Sequence, residues 1–490
     1  MTEMLLLLCK LVYHSFFDWS SVREKGFRRK IVKEPKIIFT EEDLVGSGIE
    51  LTKEFDGQGL LQVATIYQLT RDSVTYNFVH LTVQEFLCAL YICVALSQEE
   101  QYHILQENFN ILPNITTLLC GLTGLTSQED LKFILSQLSS GSEDGANNDD
   151  VVVAVRCLCE SVHLPFEGIP PLKLILYGAT LYPHDIRCVS YTICHYPIVV
   201  LNMELCHIGD KEVSRLVQCF EKKAIHLQEL KIGFNNLTSA GVIHLVKIMR
   251  SSPSLRVLDV RRNTIGDIGV ELLCKELPNN NSLTELHIWY CGLSVKGVIC
   301  IKTLLMENKK LEKLNIGDNQ IGNEGVSAVC EGLHNNTNLT ELWMDKCGIS
   351  VEGAICIKTL LMENKTITFL NIRDNNIQDE GAIVISQGLR CNHTLTTLWI
   401  SWCGLSEEGS RVVLQAAVDN TICQFVLVDS DHDSDDQVKQ LLTILKERER
   451  QVEERNNKSE DDHSTRDQED VTRTTGDHHG NTSTKLQDNI

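Results

Sequence analysis

Basic charge is what this sequence lacks most: 45 lysines and arginines stand against 66 aspartates and glutamates, a formal net charge of -21 over 490 residues. Affinity for nucleic acid rests largely on Lys and Arg displacing counterions, so no nucleic-acid partner is expected. Long apolar runs are missing too. None reaches the roughly 18 to 20 residues a membrane-spanning helix needs, so no membrane span is expected. Near the start, MLLLLCKLVYHSFF has the apolar character of a signal-peptide core, but no basic residue precedes it and no small-residue cleavage site follows. Cysteine pairs at close spacing are scarce: the 19 cysteines are scattered along a large chain, with Cys157 and Cys159 alone standing two residues apart. Reduced, mostly buried thiols and a cytoplasmic location follow from that pattern. Tryptophan is scarce as well, with five in the chain.

What is there is a ruler. The chain is too long for one compact core, which leaves several domains or an elongated array. From Leu227 the pattern LxxLxIxxNxL recurs at Leu255, Leu283, Leu311, Leu339, Ile367 and Leu395, with a constant step of 28 residues. An earlier copy, IVVLNMELCHI, begins at Ile198, and degenerate material from about Leu172 to Tyr196 reads as one more turn or a cap. Each copy continues with a glycine and an apolar series at helical spacing, as in GVELLCKEL and GVSAVCEGL. Every unit is therefore strand, turn, helix and return, because parallel strands need a crossover of a dozen residues or more. A single unit cannot bury its apolar face, so stability must come from stacking neighbours. These units resemble the ribonuclease-inhibitor class of leucine-rich repeats, over about residues 198–422. The fold class expected is α/β, a leucine-rich-repeat horseshoe.

Position nine of the template alternates in part between Asn (235, 263, 319, 375) and Cys (206, 291, 347, 403). Asn there can satisfy backbone groups where the chain leaves the strand, and a buried thiol can do so more weakly. Adjacent strands lie about 4.8 Å apart, so Cys291, Cys347 and Cys403 would be roughly 10 Å from each other, too far for a disulfide or a shared zinc. Neither metal nor cofactor is expected.

The leucines point into the core, while positions five and seven alternate to the opposite, concave face and position eight lies at its edge. Position five reads Asn202, Lys231, Asp259, His287, Asn315, Trp343, Asn371 and Trp399; position seven includes Trp289, Asp345 and Arg373; position eight includes Tyr290 and Trp402. Four of the five tryptophans fall on these positions. Trp and Tyr combine large apolar area with a polar handle and are enriched where one protein anchors another. Trp289, Tyr290, Trp343, Trp399 and Trp402 are the candidate partner-binding residues, with Arg373 and Asp345 orienting the partner. Arg373, one strand from Trp343 and Trp399, is placed to stack on a ring or to pair with Asp345.

The front of the chain reads differently. GLLQVATIYQL and VTYNFV have strand character and are joined by a turn near TRDS, and a helix follows from about Val83, with Thr82 as N-cap and Glu85 completing a capping box. YNFVHLTVQEFLCALYI, residues 76–92, resembles the end of the winged-helix domain of NACHT and leucine-rich-repeat proteins, the NOD-like receptors of innate immunity. ILPNITTLLCGLTGL and its surroundings resemble that family's second helical domain. The resemblance implies a winged-helix-like domain over 1–99 and a helical domain over 100–195; the period gives the repeats with a C-terminal cap over 196–445, and the polar composition gives an acidic disordered tail over 446–490. The resemblance also implies that His80 occupies the place of a histidine that contacts nucleotide phosphates. The sequence departs from the family in having no GxxxxGK[ST] phosphate loop, so ATP binding is not expected and a turn-capping role is the simpler account of His80.

SSGSEDGANNDD, residues 139–150, reads as a flexible loop, and DDQVKQLLTILKERERQVEE as a terminal capping helix. The function expected is non-enzymatic recognition of a protein or microbial ligand, with full-length NOD-like receptors as further partners. Two other readings share the repeats: a GTPase-activating protein, in which Arg261 or Arg262 would reach the nucleotide, and a ribonuclease-inhibitor-like enzyme blocker.

Overall fold

The structure is a computed structural model that describes residues 81–109, 113–123, 128–145, 148–161, 169–218, 225–428 and 436–451, with short pieces at 10, 12–13, 17–18, 30–31, 38–40 and 75–77. His80, the segment GLLQVATIYQL and the tail from 452 onward lie outside the described residues. The chain divides into two compact units, Met1–Gly292 and Leu293–Ile490.

In the first unit, two short antiparallel pairs, Phe17–Asp18 with Lys30–Ile31 and Ile38–Thr40 with Thr75–Asn77, come before a run of helices. The strand in VTYNFV pairs with the IIFT segment, while the turn and the strand expected over GLLQVATIYQL lie outside the described residues. The next helix spans Leu81–Ala95, which puts Thr82 inside the first turn and not at the N-cap. Helices follow at Gln98–Asn108, Pro113–Thr123, Gln128–Leu138 and Asn148–Glu160. Parallel strands then appear at Leu172–Ile175, Ile198–Asn202, Glu229–Lys231, Val257–Asp259 and Glu285–His287. The degenerate stretch from Leu172 is therefore a strand of the sheet, paired with Ile198–Asn202 and followed by its own helix, Pro183–His195.

The second unit continues the alternation with strands Lys313–Asn315, Glu341–Trp343, Phe369–Asn371, Thr397–Trp399 and Phe425–Leu427, separated by helices of 12 to 14 residues. Residues 436–451 are helical, as the capping-helix reading expects. Register is in phase with the template: Leu342 opposes Leu370, which opposes Leu398. These leucines are fully buried against the helices, each worth about 1.5–3 kcal/mol of transfer free energy. The residues flanking them on each strand are mostly half-buried, so the sheet has one packed face and one open face.

Two devices repeat with the template. At Gly353 a Cβ would meet Ile349 Cγ2 at 2.6 Å and Asn323 Oδ1 at 2.7 Å, so the glycine that opens the helix lets it press onto the preceding turn. At position eight the chain leaves the strand in the left-handed region, with φ between 51° and 61° at Leu205, Phe234, Arg262, Tyr290, Asp318, Lys346, Asp374 and Trp402. That conformation costs roughly 1–2 kcal/mol for a non-glycine residue. It is offset by prolonging the ladder: Phe234 N–H donates to Arg261 O at 2.8 Å, Lys346 N–H to Arg373 O at 2.9 Å and Asp374 N–H to Ser401 O at 3.0 Å.

Position nine has a hydrogen-bonding logic. Asn375 Nδ2 donates to the carbonyls of Met344, Ile372 and Arg373 at 2.8 to 3.0 Å, and its Oδ1 accepts from the N–H groups of Cys347 and Ile349 at 3.0 Å each. The thiols do less. Cys347 Sγ reaches Ile316 O at 3.6 Å and Cys403 Sγ reaches Ile372 O at 3.2 Å, and the Cys347 sulfur accepts one backbone N–H, from Asn319. At this pair of units the Asn375 oxygen thus accepts two N–H groups where the Cys347 sulfur accepts one.

Candidate functional site

The open face of the first unit is charged and internally paired. Arg261, at position seven, binds Glu204 Oε1 at 2.9 Å and Asp259 Oδ2 at 3.0 Å. Burial pushes the Asp259 carboxyl upward, and Arg261 works against that shift. Lys231 binds Glu143 Oε1 at 2.9 Å, and this hydrogen bond holds the Glu143 carboxyl below its ordinary value. Glu143 belongs to the segment read from sequence as a flexible loop. Within the described part of that segment, Asn148, buried and already the first residue of the next helix, accepts from the Ser142 N–H and donates to Ser142 O and Tyr177 O. The loop is thereby brought to the sheet.

At the edge of this unit Arg262 Cζ lies 4.7 Å from the Trp289 ring centre, 4.6 Å from that of Tyr290 and 5.5 Å from that of Phe234. Trp289 and Tyr290 are 5.9 Å apart, with Trp289 half-buried and Tyr290 50% exposed. Tyr290 faces water because position eight is where the backbone turns out of the strand. His287 Nε2 lies 3.8 Å from Glu285 on the same strand. Arg261 is engaged by acids, while Arg262 is exposed and lies beside the three rings.

The second unit carries the apolar cluster. Its open face is a grid in which Phe369, Asn371 and Arg373 form one column, Glu341, Trp343 and Asp345 the column on one side, and Thr397, Trp399 and Ser401 the column on the other. Phe369 sits between the indoles, with ring centres 4.9 Å from Trp343 and 5.0 Å from Trp399, the latter pair edge-on. Such contacts add about 0.5–1.5 kcal/mol beyond area burial. Beyond Trp399 the register continues to Leu427. Trp402, at position eight, is 67% exposed.

Arg373 Cζ lies 6.0 Å from the Trp399 ring centre, so the stacking alternative holds. The pair with Asp345 does not form. Asp345 Oδ1 accepts from Asn371 Nδ2 at 3.0 Å, and Asn371 Oδ1 accepts the Arg373 N–H at 3.1 Å. The buried Arg373 Nε, Trp399 Nε1 and Ser401 Oγ have no hydrogen-bond partner among the described residues.

Of the seven candidate residues, Trp343 and Trp399 lie on strands that flank Phe369–Asn371, Asp345 and Arg373 lie two residues past the ends of theirs, and Trp289 and Tyr290 belong to the other unit. The sequence reading missed Phe369, which stands at position three. Period-two alternation carried one step back from position five would have found it, together with Phe425. Among the described residues no group of three His, Cys, Asp or Glu side chains could hold a metal ion, and no helix is long and apolar enough to cross a membrane.

Comparison with known proteins bears on the repeats. A leucine-rich-repeat family model matches residues 223–246, 251–274, 279–302, 307–330, 335–358 and 363–386, the same 28-residue step. Two solved structures are similar to part of the chain. A structure described as leiomodin-1 actin-binding site 2 is 21% identical, with a TM-score of 0.28, covering 34% of this chain and 96% of its own. A tropomodulin C-terminal domain from Caenorhabditis elegans is 16% identical, also with a TM-score of 0.28, covering 32% of this chain and 97% of its own. No curated protein matches. With six matched repeats in phase with the strands and helices described above, this is a leucine-rich-repeat protein.

Proposed function

We propose that the chain is a non-enzymatic recognition protein that binds a protein or microbial ligand on the open sheet face of the Leu293–Ile490 unit. The observation that carries this reading is the Trp343–Phe369–Trp399 cluster, three large rings on the face that does not pack against the helices. Rings of this kind dominate binding energy where they become fully desolvated by a partner. The resemblance of residues 76–92 to the winged-helix end of NOD-like receptors supports an innate-immune setting, and makes full-length receptors of that family further candidate partners. Trp402 belongs to this reading as a flanking contact, and Trp289 and Tyr290 are candidate contacts on the Met1–Gly292 unit taken by itself. The cysteine pattern supports a cytoplasmic location.

A library of displayed natural protein fragments, panned on the full chain, tests it. Fragments captured by the wild type are expected to be lost on W343A/W399A, a double variant that loses the ring contacts but keeps the leucine core and is checked for its fold by circular dichroism. Equal capture by both would refute the assignment.

A further inference from the structure

We propose that the Arg373 end of this cluster is a subsite for an acidic side chain, and that the segment bound there is an extended stretch with Asp or Glu beside a large apolar residue. The inference rests on the reading of this face as the binding surface and adds the chemistry of what it selects. Its warrant is a comparison between two arginines at one template position. Arg261 and Arg373 both occupy position seven. Arg261 is neutralised from within, by Asp259 two residues earlier on its own strand and by Glu204 two strands back. At the places equivalent to these two acids, Arg373 has Asn371 and Gly317. Both internal carboxylates are gone, and Arg373 makes no ion pair among the described residues.

The surroundings are arranged for an incoming acceptor. Arg373 Nε, Trp399 Nε1 and Ser401 Oγ are donors without partners, and Ser401 is only 3% exposed. Ser401 is the register neighbour of Arg373, since Asp374 N–H donates to Ser401 O at 3.0 Å. Trp399 lies two residues before it on the same face. Buried donors left unpaired are costly, and a carboxylate is the acceptor that matches a guanidinium fork in both geometry and charge. Asp345 does not fill this role, because Asn371 Nδ2 engages its carboxylate. The rings of Trp343, Phe369 and Trp399, which begin beside the guanidinium, supply the seat for the neighbouring apolar residue.

The test uses the full chain and a displayed library of random 12-residue peptides. Peptides retained by the wild type are expected to be enriched in Asp or Glu next to Leu, Ile, Phe or Met. R373E should reverse the selected charge to Lys or Arg. A synthetic acidic peptide should bind R373M roughly 10- to 100-fold more weakly than wild type. The same peptide with Asn in place of its Asp should bind the two chains equally. G317E/N371D rebuilds the arrangement around Arg261 and should abolish the acidic preference while leaving the apolar one. Peptides that depend on Trp343 and Trp399 yet show no acidic enrichment would overturn the subsite and leave the face assignment standing. Peptides whose capture survives W343A/W399A, or no retained peptides at all, would overturn both.

Discussion

Replacing Asn375 separates the two position-nine residues by their hydrogen-bonding capacity. Asn375 is 7% exposed, and N375A would leave the N–H groups of Cys347 and Ile349 without the oxygen that accepts them at 3.0 Å. An orphaned buried donor costs about 1–3 kcal/mol, so the two together cost roughly 2–6 kcal/mol. N375C is the informative control. A thiol at this position bonds a carbonyl and accepts one N–H, as Cys347 does with Ile316 O and the Asn319 N–H. One donor is then left over, and the cost should fall to roughly 1–3 kcal/mol. Urea unfolding of the full chain followed by circular dichroism and by tryptophan fluorescence reads both variants. Because repeats couple to their nearest neighbours, the comparison belongs to the transition that fluorescence reports from the Trp343–Trp399 region. The account is refuted if N375A unfolds within about 0.5 kcal/mol of wild type, the range of ordinary surface substitutions, or if N375C costs as much as N375A.

Further outcomes follow from the charged loop, the thiols and the left-handed turn. The Glu143 carboxyl has its folded-state value lowered, chiefly by its hydrogen bond to Lys231, so its contribution is present above the ordinary carboxylate range and is lost as pH falls through the lowered value. Hydrogen exchange of residues 139–145, corrected for intrinsic rates, should therefore speed up on acidification in the wild type and be fast and independent of this titration in E143Q. Among the described cysteines, burial pushes the thiols of Cys206, Cys291 and Cys423 up to about 12. Alkylation at pH 8.5 should mark exposed Cys391 in the native chain and reach those three only after unfolding; native labelling of Cys291 would contradict its place in the core. Lys346 has φ 53°, so K346G should relieve strain and change stability by less than about 1 kcal/mol, whereas K346V should cost more than about 1 kcal/mol in the same urea assay.

The repeats were legible because their period is fixed by geometry. A strand, a turn and a helix of constant length oblige leucines to return at a constant step, and the strand register in each unit follows that step. The Asn and Cys roles at position nine were also readable, since each side chain's donor and acceptor capacity is known from its chemistry. The site was readable only in part. Alternation along a three-residue strand places Trp343 and Trp399 on the open face, but starting the count at position five overlooked Phe369. That Asp345 would turn to Asn371 instead of Arg373 depends on side-chain rotamers that spacing does not specify. The Glu143–Lys231 contact joins residues 88 apart in sequence, and no local pattern announces it. At the front of the chain, strand Thr75–Asn77 pairs with Ile38–Thr40, some 35 residues away, a long-range pairing that no local pattern announces.

The central claim is that the open face of the Leu293–Ile490 unit binds a partner through its indoles. Calorimetric titration of the strongest captured segment into wild type and into W343A/W399A, both shown to be folded, tests it most directly. Two anchoring aromatics lost together should weaken binding by at least about 30-fold, the change that a loss of 2 kcal/mol represents. A dissociation constant unchanged within twofold would show that the partner binds elsewhere.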